Sequence, residues 1–567
     1  MAYSRYRPIS HFIAPHSWSN DPCGAVYVPE SQEYLLCYQW NPGTTEGGNC
    51  AWGMAKSKDL VTWADCMPAI WNGTSYDSLG VFSGSIVSRL VEGKRVLYLF
   101  YTSVSALPIH WSKPYIKGCE TQSMALSTDL GRTWVRHESN PLIGEPPKKA
   151  ATAGWRDPFV SPSASLSRLL GLPHEHDFMM ISSGERGRGP QLHLYGSKDL
   201  HSWNLISTVL DVQLHSIISE TSNLKWGMNF ECASFFTIGQ TDYIIVGMEE
   251  SEESTCHNAH YVLWIAGEFH LDEKKNLPTF KIRSHGVLDH GILYAAHLFR
   301  DESDRLLQLG WADESAKKHI IRDQGWAGCL GHPRELTQIT RPVHPCARSW
   351  HEWTVDESTG TMSTLGIRPA IQVETLRVGP PTVGPEALTQ FKQISSENFE
   401  VRAKFSNVTG CEKFVFHVLR SPDGHETTSL VFDLKTQTIS VDRSKSSLKQ
   451  LGTASPDSGH LRLLPGEDLE IRIFVDVSII EIYANDRFAL TSRVYPFLET
   501  SKHTAYDFGA FDLGNVEMAY WQSLKQAWPE RGSGVEMGAE FLSRSALEKS
   551  GQVVTASEIH VKMEAAS

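Results

Sequence analysis

The chain has 567 residues, of which 41% are hydrophobic, and it carries a formal net charge of -13. A chain of this length exceeds the size at which one hydrophobic core stops growing, so we expect two domains. The acidic balance and a sequence pI near 6.0 argue against nucleic acid as a partner, because a phosphate backbone is bound by clustered lysine and arginine.

The sequence shows neither a membrane segment nor a secretory signal. No run approaches the roughly 18 consecutive apolar residues that a spanning helix requires, and residues 1–7 (Met-Ala-Tyr-Ser-Arg-Tyr-Arg) lack an apolar signal core. We therefore expect no membrane association and a cytoplasmic location. The 10 cysteines include no Cys-x-x-Cys pair, and free thiols are typical of a reducing compartment.

An internal repeat marks the first part of the chain. Residues 57–63, 127–134 and 197–203 share the pattern Ser-x-Asp-Leu followed by Trp, at even spacing. Between these copies lie short runs of β-branched and aromatic residues, separated by Gly, Pro, Asn and Asp. Repeated groups of short strands are typical of a β-propeller. Dividing residues 11–340 by the repeat spacing predicts about five blades.

A second β domain follows the repeats. Residues 378–385 (Val-Gly-Pro-Pro-Thr-Val-Gly-Pro) indicate a linker. Beyond them, residues 469–476 and 479–484 alternate apolar and polar positions, as in a sandwich in which each sheet has one buried face and one solvent-exposed face. The predicted fold is all-β, a five-bladed β-propeller followed by a β-sandwich. Its predicted parts are the propeller (1–345), a linker (346–385), the sandwich (386–529) and a C-terminal extension (530–567).

Three acidic signatures are spread over the predicted propeller. They are residues 18–24 (Trp-Ser-Asn-Asp-Pro-Cys-Gly), 155–158 (Trp-Arg-Asp-Pro) and 229–232 (Asn-Phe-Glu-Cys). Taken singly, each Asp-Pro is more often a turn and a lone Glu in a strand is usually solvated.

The order and spacing of the signatures favour a functional site. The innermost strand of each blade lines a central channel, so Asp21, Asp157 and Glu231, from the first, third and fourth units, can converge at one mouth. Two carboxylates facing a glycosidic bond, with a third nearby, are the minimal equipment for cleaving it.

These signatures, with several further motifs, give the chain a family resemblance. The further motifs are residues 82–85 (Phe-Ser-Gly-Ser), 325–328 (Gly-Trp-Ala-Gly), 333–336 (Pro-Arg-Glu-Leu), 475–476 (Val-Asp) and 493–496 (Arg-Val-Tyr-Pro). From about residue 11 to residue 528 the chain resembles glycoside hydrolase family 32, the invertases and fructosyltransferases. The resemblance implies Asp21 as nucleophile, Glu231 as acid/base and Asp157 as transition-state stabiliser.

In a retaining mechanism one carboxyl group is ionised and attacks, while the other is protonated and acts as the acid. Unequal environments must therefore separate their pKa values. We expect Arg156 to favour the ionised form of the adjacent Asp157. The low polarity of Phe230 and Cys232 would help to keep Glu231 protonated, unless strand alternation points both side chains away.

The resemblance also suggests a substrate. Cys23, where the family usually has Asn, and the stretch 101–112 are similar to fungal fructosyltransferases. This implies that sucrose is cleaved and that fructose passes to a second sucrose, forming fructo-oligosaccharides, or to water. Implied substrate contacts, the last two at the glucose side, are Asn20, Gln39, Trp40, Phe82, Ser83, Arg156, Glu249 and His260.

Other functions remain open at this point. The enzyme could be mainly a hydrolytic invertase or a fructanase acting on inulin, and a non-catalytic sugar-binding propeller is the non-enzyme alternative. His174 and His176 lie in an apparent loop and the chemistry needs no metal, so we expect no metal site and no cofactor. A homodimer is left open.

Overall fold

The structure is a computed structural model that describes residues 2–147, 151–174, 176–220, 224–251 and 259–531. The predicted extension 530–567 lies outside these ranges except for its first two residues. Strands dominate the described residues, as the all-β prediction requires. No helix within these ranges is long and apolar enough to cross a membrane.

Four sheets follow one another along the first half of the chain. The first contains β1 (Ser17–Val28), β2 (Glu33–Asn41), β3 (Ala51–Ser57) and β4 (Trp63–Ile70). The second contains β5 (Gly80–Val91), β6 (Lys94–Val104), β7 (Glu120–Ser127) and β8 (Val135–Arg136). The third contains β9 (Thr152–Pro162), β10 (Asp177–Glu185), β11 (Gly189–Ser197) and β12 (Asn204–Asp211). The fourth contains β13 (Asn229–Ile238), β14 (Thr241–Glu249), β15 (Tyr261–Leu271) and β16 (Pro278–Asp289).

The next strands form a fifth sheet and also return to the first. They are β17 (Leu293–Arg300), β18 (Leu306–Ala312), β19 (Trp326–Ala327), β20 (Cys329–Leu330), β21 (Arg334–Pro342), β22 (Thr354–Asp356) and β23 (Thr361–Pro369). The fifth sheet has the order β17, β18, β21, β23, β22, and β20 pairs with β18. β19 instead runs parallel to β1 and extends the first sheet.

The first strands of these five sheets surround one centre. Each of β1, β5, β9 and β13 packs against the first strand of the next sheet, and β17 packs against β1. The second halves of the same five strands line a cavity of about 620 Å³. The sheets therefore form a β-propeller around a central channel, and this cavity is one end of that channel.

The sequence repeat is a turn that follows the third strand of the first three sheets. The hydroxyl groups of Ser57, Ser127 and Ser197 each donate a hydrogen bond to the Asp two residues later. That Asp accepts backbone N–H bonds in turn, and the following Leu has positive φ in all three copies. Side chains that bond their own backbone stabilise such turns.

The second domain is a sandwich of two antiparallel sheets. Its strands are β24 (Thr382–Val383), β25 (Asn398–Phe405), β26 (Lys413–Arg420), β27 (Thr428–Asp433), β28 (Thr438–Asp442), β29 (Asp457–His460), β30 (Leu469–Asp476), β31 (Ile479–Ala484), β32 (Phe488–Arg493), β33 (His503–Asp507) and β34 (Val516–Trp521). One sheet has the order β24, β34, β25, β30, β31, β32, and the other β29, β28, β27, β26, β33.

Two details of this region differ from the sequence analysis. The stretch 346–385, predicted as a linker, contributes β22 and β23 to the propeller and β24 to the sandwich. The wet outer face predicted for 479–484 is wrong, because every residue of β31 is buried. One face of this strand enters the sandwich core, whereas Tyr483 on the other packs with propeller residues such as Leu298.

Helices are few and short among the described residues. They are α1 (Ala2–Arg5), α2 (Ala164–Leu170), α3 (Lys318–Gln324) and α4 (Gly384–Phe391), with 3-10 turns at Pro345–Ser349, Ile371–Leu376 and Leu513–Asn515.

Candidate active site

The candidate site lies where the inner strands of the propeller are interrupted by β-bulges. The pairing register of each shifts near its site residues: Asp21 on β1, Ser83 on β5, Asp157 on β9, Glu231 on β13 and Tyr294 on β17. A bulge re-aims a side chain and bends its strand. Five sheets thus present polar groups to the channel at equivalent positions.

Asp21 is held by hydrogen bonds at both carboxylate oxygens. The Asn20 amide donates to Oδ1 at 3.1 Å, and the Ser83 hydroxyl donates to Oδ2 at 2.6 Å. The Trp18 indole N–H donates to the Asn20 side chain at 3.2 Å, which orients that amide. The first signature therefore fixes the carboxylate that it contains.

Asp157 lies close to Asp21 although the two residues come from different sheets. The Cys232 backbone N–H donates to Asp157 Oδ2 at 2.9 Å. The Cys232 thiol lies 3.4 Å from Asp21 Oδ2 and 3.6 Å from Asp157 Oδ2. Because Glu231 directly precedes this cysteine, the structure brings all three signatures together.

Glu231 is bound by Arg156 and Tyr294. The guanidinium donates to Glu231 Oε1 from Nε at 3.0 Å and from Nη2 at 2.7 Å, and the Tyr294 hydroxyl donates to Oε2 at 2.9 Å. Arg156 also reaches Glu120 Oε1 at 2.9 Å and Glu249 Oε2 at 3.4 Å. The buried guanidinium of Arg156 therefore contacts three carboxyl groups.

Burial raises the pKa values of the two aspartates. It raises the pKa of Asp21 to about 6, against the hydrogen bond from Ser83, and the charge of Glu231 adds to the rise. Burial raises the pKa of Asp157 to about 7, against the attraction of Arg156. The expectation that Arg156 favours the ionised form of Asp157 has the right sign, but burial outweighs it.

The carboxyl group of Glu231 differs from the expected protonated state. Burial disfavours its charge, but hydrogen bonds and attraction from Arg156 outweigh burial and lower its pKa. Phe230 and Cys232 therefore do not keep this group protonated in the substrate-free protein. Burial and the neighbouring charge of Glu231 instead raise the pKa of Glu249 to about 8.

The remaining predicted contacts divide into two sets. Phe82 is half-buried, and His260 has a 51% exposed side chain 3.4 Å from Glu250, so both are accessible to a ligand. Gln39 and Trp40 are buried, and their side chains donate hydrogen bonds to the backbone carbonyls of Val81 and His16. Both side chains therefore bond the backbone in the substrate-free protein, and their role as substrate contacts stays a prediction.

Sequence reasoning assigned no role to Tyr294, to Glu120 or to Asn229, the residue that opens the third signature. The Asn229 amide donates to Glu249 Oε2 at 3.1 Å. Tyr294 could have been found, since it lies on the first strand of the fifth repeat unit, where the other units carry site residues. Glu120 gave no such signal, because it opens a third strand; it contacts the second signature through the Trp155 backbone N–H and the Arg156 guanidinium.

A propeller channel with three clustered carboxyl groups defines the class of the protein, since paired carboxyl groups are the equipment of glycoside hydrolases. Comparisons with known proteins agree. The profile of the glycosyl hydrolases family 32 N-terminal domain matches residues 11–343, and that of the family 32 C terminal matches residues 372–521. The chain belongs to glycosyl hydrolase family 32.

Individual relatives resemble the chain over most of its length. A β-fructofuranosidase, insoluble isoenzyme 1, of Daucus carota is 26% identical over 533 residues, which cover 86% of this chain and 83% of the relative. The solved Aspergillus kawachii β-fructofuranosidase, in complex with glycerol, is 27% identical with a TM-score of 0.80, covering 94% of this chain and 96% of that one. The fructosyltransferase of A. japonicus is 25% identical with a TM-score of 0.79, covering 94% and 97%.

Proposed function

We propose that this chain is a retaining β-fructofuranosidase that cleaves sucrose and passes the fructosyl unit to a second sucrose or to water. The observation that carries the proposal is the contact of both Asp21 and Asp157 with the Cys232 thiol, beside Glu231. The named activities of the carrot and Aspergillus relatives support a fructosyl substrate. We also propose that the five sheets are the blades of a five-bladed propeller.

In the first step, an Asp21 oxygen attacks the anomeric carbon of the fructosyl unit. The bond from that carbon to the glucose oxygen breaks, and Glu231 gives its proton to this oxygen, so that glucose leaves and a fructosyl ester of Asp21 remains. Ser83 and Asn20 hold the attacking carboxylate in place. Asp157, ionised, stabilises the positive charge that develops on the sugar ring.

In the second step, Glu231 acts as a base. It takes the proton of an incoming hydroxyl, whose oxygen attacks the anomeric carbon and releases Asp21. Two inversions at the same carbon give net retention. Water yields fructose, and a second sucrose yields a fructo-oligosaccharide.

The acid role requires Glu231 to gain a proton when substrate binds. Arg156 Nη2 lies 2.7 Å from Glu231 and 3.4 Å from Glu249, and burial, together with the charge of Glu231, raises the pKa of Glu249. Sugar hydroxyls that bind Arg156 and Glu249 weaken the attraction that keeps Glu231 ionised. We therefore assign Glu249, which lies beside the arginine that binds Glu231, a substrate contact at the glucose side.

Transfer of the fructosyl unit to a sugar must compete with hydrolysis, because the concentration of water is roughly tens of molar. A sugar acceptor wins only where it is held in attacking geometry, because orientation gives it a high effective molarity. The partly exposed His260 ring lies 5.9 Å from the Tyr294 ring, and Tyr294 bonds the acid/base. We assign His260 to the binding of the glucose unit or the acceptor.

A time course of products from concentrated sucrose tests the proposal. We expect more free glucose than free fructose, with the missing fructose in longer oligosaccharides. Equal amounts of the two sugars without longer products would refute transfer. A panel of sucrose, inulin and an aryl arabinofuranoside tests the substrate, and failure to release glucose from sucrose would refute the assignment altogether.

A further inference from the structure

A carboxylate outside the three signatures contacts the second signature at two points. Glu120 opens β7 in the second sheet and is fully buried. Its Oε2 accepts the backbone N–H of Trp155 at 2.8 Å, and its Oε1 accepts from Arg156 Nη1 at 2.9 Å. Both oxygens are acceptors, as in an ionised carboxyl group. Glu120 therefore holds both the backbone and the guanidinium of this signature.

Two other side chains of the second sheet fix the backbone on either side of Arg156. The Gln122 amide on β7 donates to the Trp155 carbonyl oxygen at 3.0 Å. The Thr102 hydroxyl on β6 accepts the backbone N–H of Asp157 at 2.9 Å and donates to Gln122 Oε1 at 2.9 Å. These bonds do not involve Glu120, so the backbone of the signature keeps anchors when Glu120 is changed.

The nitrogens of Arg156 are divided between Glu120 and Glu231. Nη1 faces Glu120, while Nε and Nη2 both donate to a single oxygen of Glu231, Oε1. An arginine bound to one carboxylate alone commonly makes two parallel bonds, one to each oxygen. Here the other Glu231 oxygen accepts from the Tyr294 hydroxyl at 2.9 Å. Glu120 thus competes with Glu231 for one positive charge.

Titratable groups from several strands surround Glu231. Burial raises its pKa, but Arg156 outweighs burial, and Tyr294 and His260 add to the lowering. The other titratable groups that interact with Glu231 are Asp21, Asp157, Cys232 and Glu249. The groups that interact with Glu120 are Arg156, Tyr115 and Cys119. Arg156 is common to both sets and couples the two glutamates.

We propose that Glu120 is a positioning residue for the acid/base: it draws the Arg156 guanidinium away from Glu231, so that Glu231 can carry the proton that the leaving sugar needs. This inference rests on the proposed function, which gives Glu231 the acid role. Without the charge of Glu120, Arg156 acts on Glu231 more strongly and favours its ionised form. Each unit by which the pKa of Glu231 falls removes about nine-tenths of its protonated fraction at neutral pH.

E120Q removes the charge while keeping the shape of the side chain. An amide has one acceptor oxygen and a donor group. When that oxygen accepts from Trp155, the amide nitrogen faces Arg156 Nη1, and two donors in contact repel each other. The guanidinium is then pushed toward Glu231, and we expect the pKa of Glu231 to fall by about one unit.

Two substrates with different leaving groups test the inference. The glucose oxygen of sucrose needs a proton from Glu231 as its bond to the anomeric carbon breaks. In β-fructofuranosyl fluoride the carbon–fluorine bond breaks when Asp21 attacks, and fluoride leaves as an anion without a proton. At about pH 7, E120Q should lower kcat/KM for sucrose about tenfold and kcat/KM for the fluoride by less than about threefold.

A purely structural role of Glu120 gives a different result, because a distorted site slows both substrates alike. Equal losses for sucrose and the fluoride in E120Q, or a sucrose value that stays constant or rises, would overturn the inference. A wild type that does not cleave sucrose refutes the proposed function instead, before any variant is compared. The two failures are therefore distinguishable.

Two further variants complete the test. D77N neutralises another buried carboxylate, which pairs with Arg136 and Tyr101 of the same sheet, and it should leave the ratio of the two kcat/KM values unchanged. If E120Q does not fold, E120D replaces it and withdraws the charge by the length of one methylene group. We then expect the sucrose-to-fluoride ratio to fall about threefold, and an unchanged ratio would overturn the inference.

Discussion

Burial raises the pKa of Asp21 and the hydrogen bond from Ser83 opposes that rise, so removal of the hydroxyl should shift the pH dependence of activity. The hydroxyl donates a 2.6 Å hydrogen bond to Asp21 Oδ2, and this bond favours the charged carboxylate. A hydrogen bond to a charged group contributes roughly 1.5–3 kcal/mol, and one pKa unit corresponds to about 1.4 kcal/mol. S83A should therefore raise the pKa of Asp21, which is about 6 in the wild type, by about one to two units.

The sign of the effect on activity follows from the nucleophilic role of Asp21. A protonated carboxyl group cannot attack, so activity falls as the pH drops below the pKa of Asp21. Asp157, with a pKa raised to about 7, titrates in the same range, and the acid limb reports the coupled pair. In S83A this limb should move to higher pH by about one unit or more, with roughly tenfold lower kcat/KM on the acid side relative to the plateau.

The assay is the initial rate of glucose release from sucrose between about pH 4 and pH 9, expressed as kcat/KM. S88A is the matched control, because Ser88 lies on the same strand and its hydroxyl accepts from Arg95 rather than contacting a site carboxylate. The S88A limb should coincide with that of the wild type. A folded S83A whose acid limb stays in place or moves to lower pH would refute the reasoning.

Three further predictions concern the site and its support. D21N should fold normally, as judged by circular dichroism, but lose sucrose cleavage by at least about 10⁴-fold; retention of most activity would rule out the nucleophile assignment. R493M removes the charged partner of the buried Glu314 carboxylate at the domain interface and should lower the free energy of unfolding in urea by about 3–5 kcal/mol. R348Q breaks an exposed ion pair with Glu357 and should change that free energy little. G84A places a Cβ against the Phe100 carbonyl oxygen and should lower the free energy of unfolding by about 1–3 kcal/mol. G144A, in open space, should be tolerated; equal stability of the two glycine variants would contradict the close approach.

The sequence allowed the three site carboxyl groups to be predicted because the repeat supplied geometry. Copies of one turn at 57–63, 127–134 and 197–203 divide the chain into equivalent sheets, and equivalent sheets place their first strands around one channel. The positions of Asp21 and Asp157 follow from that arrangement. The all-β architecture was predictable for the same reason.

The contacts of Arg156 could not be predicted from its sequence neighbours. Adjacency to Asp157 suggested an ion pair, but Asp157 has a φ of 63° at a bulge, and the guanidinium turns to Glu231 instead. A linear sequence carries no signal for such a backbone change. The predicted protonation of Glu231 differs from the structure for the same reason. The pKa of this group depends on Arg156, a partner from another sheet.

The interface between the domains was also beyond sequence reasoning. The alternation of residues 479–484 predicts one wet face, yet that face packs against the propeller. The same contact brings Glu481 to His11 and His332, which lie far away in the chain.

The most direct test of the proposed function is to find the residue that carries the fructosyl group during turnover. Wild-type protein is mixed rapidly with sucrose, quenched in acid, digested and examined by peptide mass spectrometry. The mechanism predicts one fructosyl unit on the peptide that contains Asp21, and its absence from D21N. A fructosyl group on another residue, or release of fructose with inverted anomeric configuration and no labelled peptide, would contradict it.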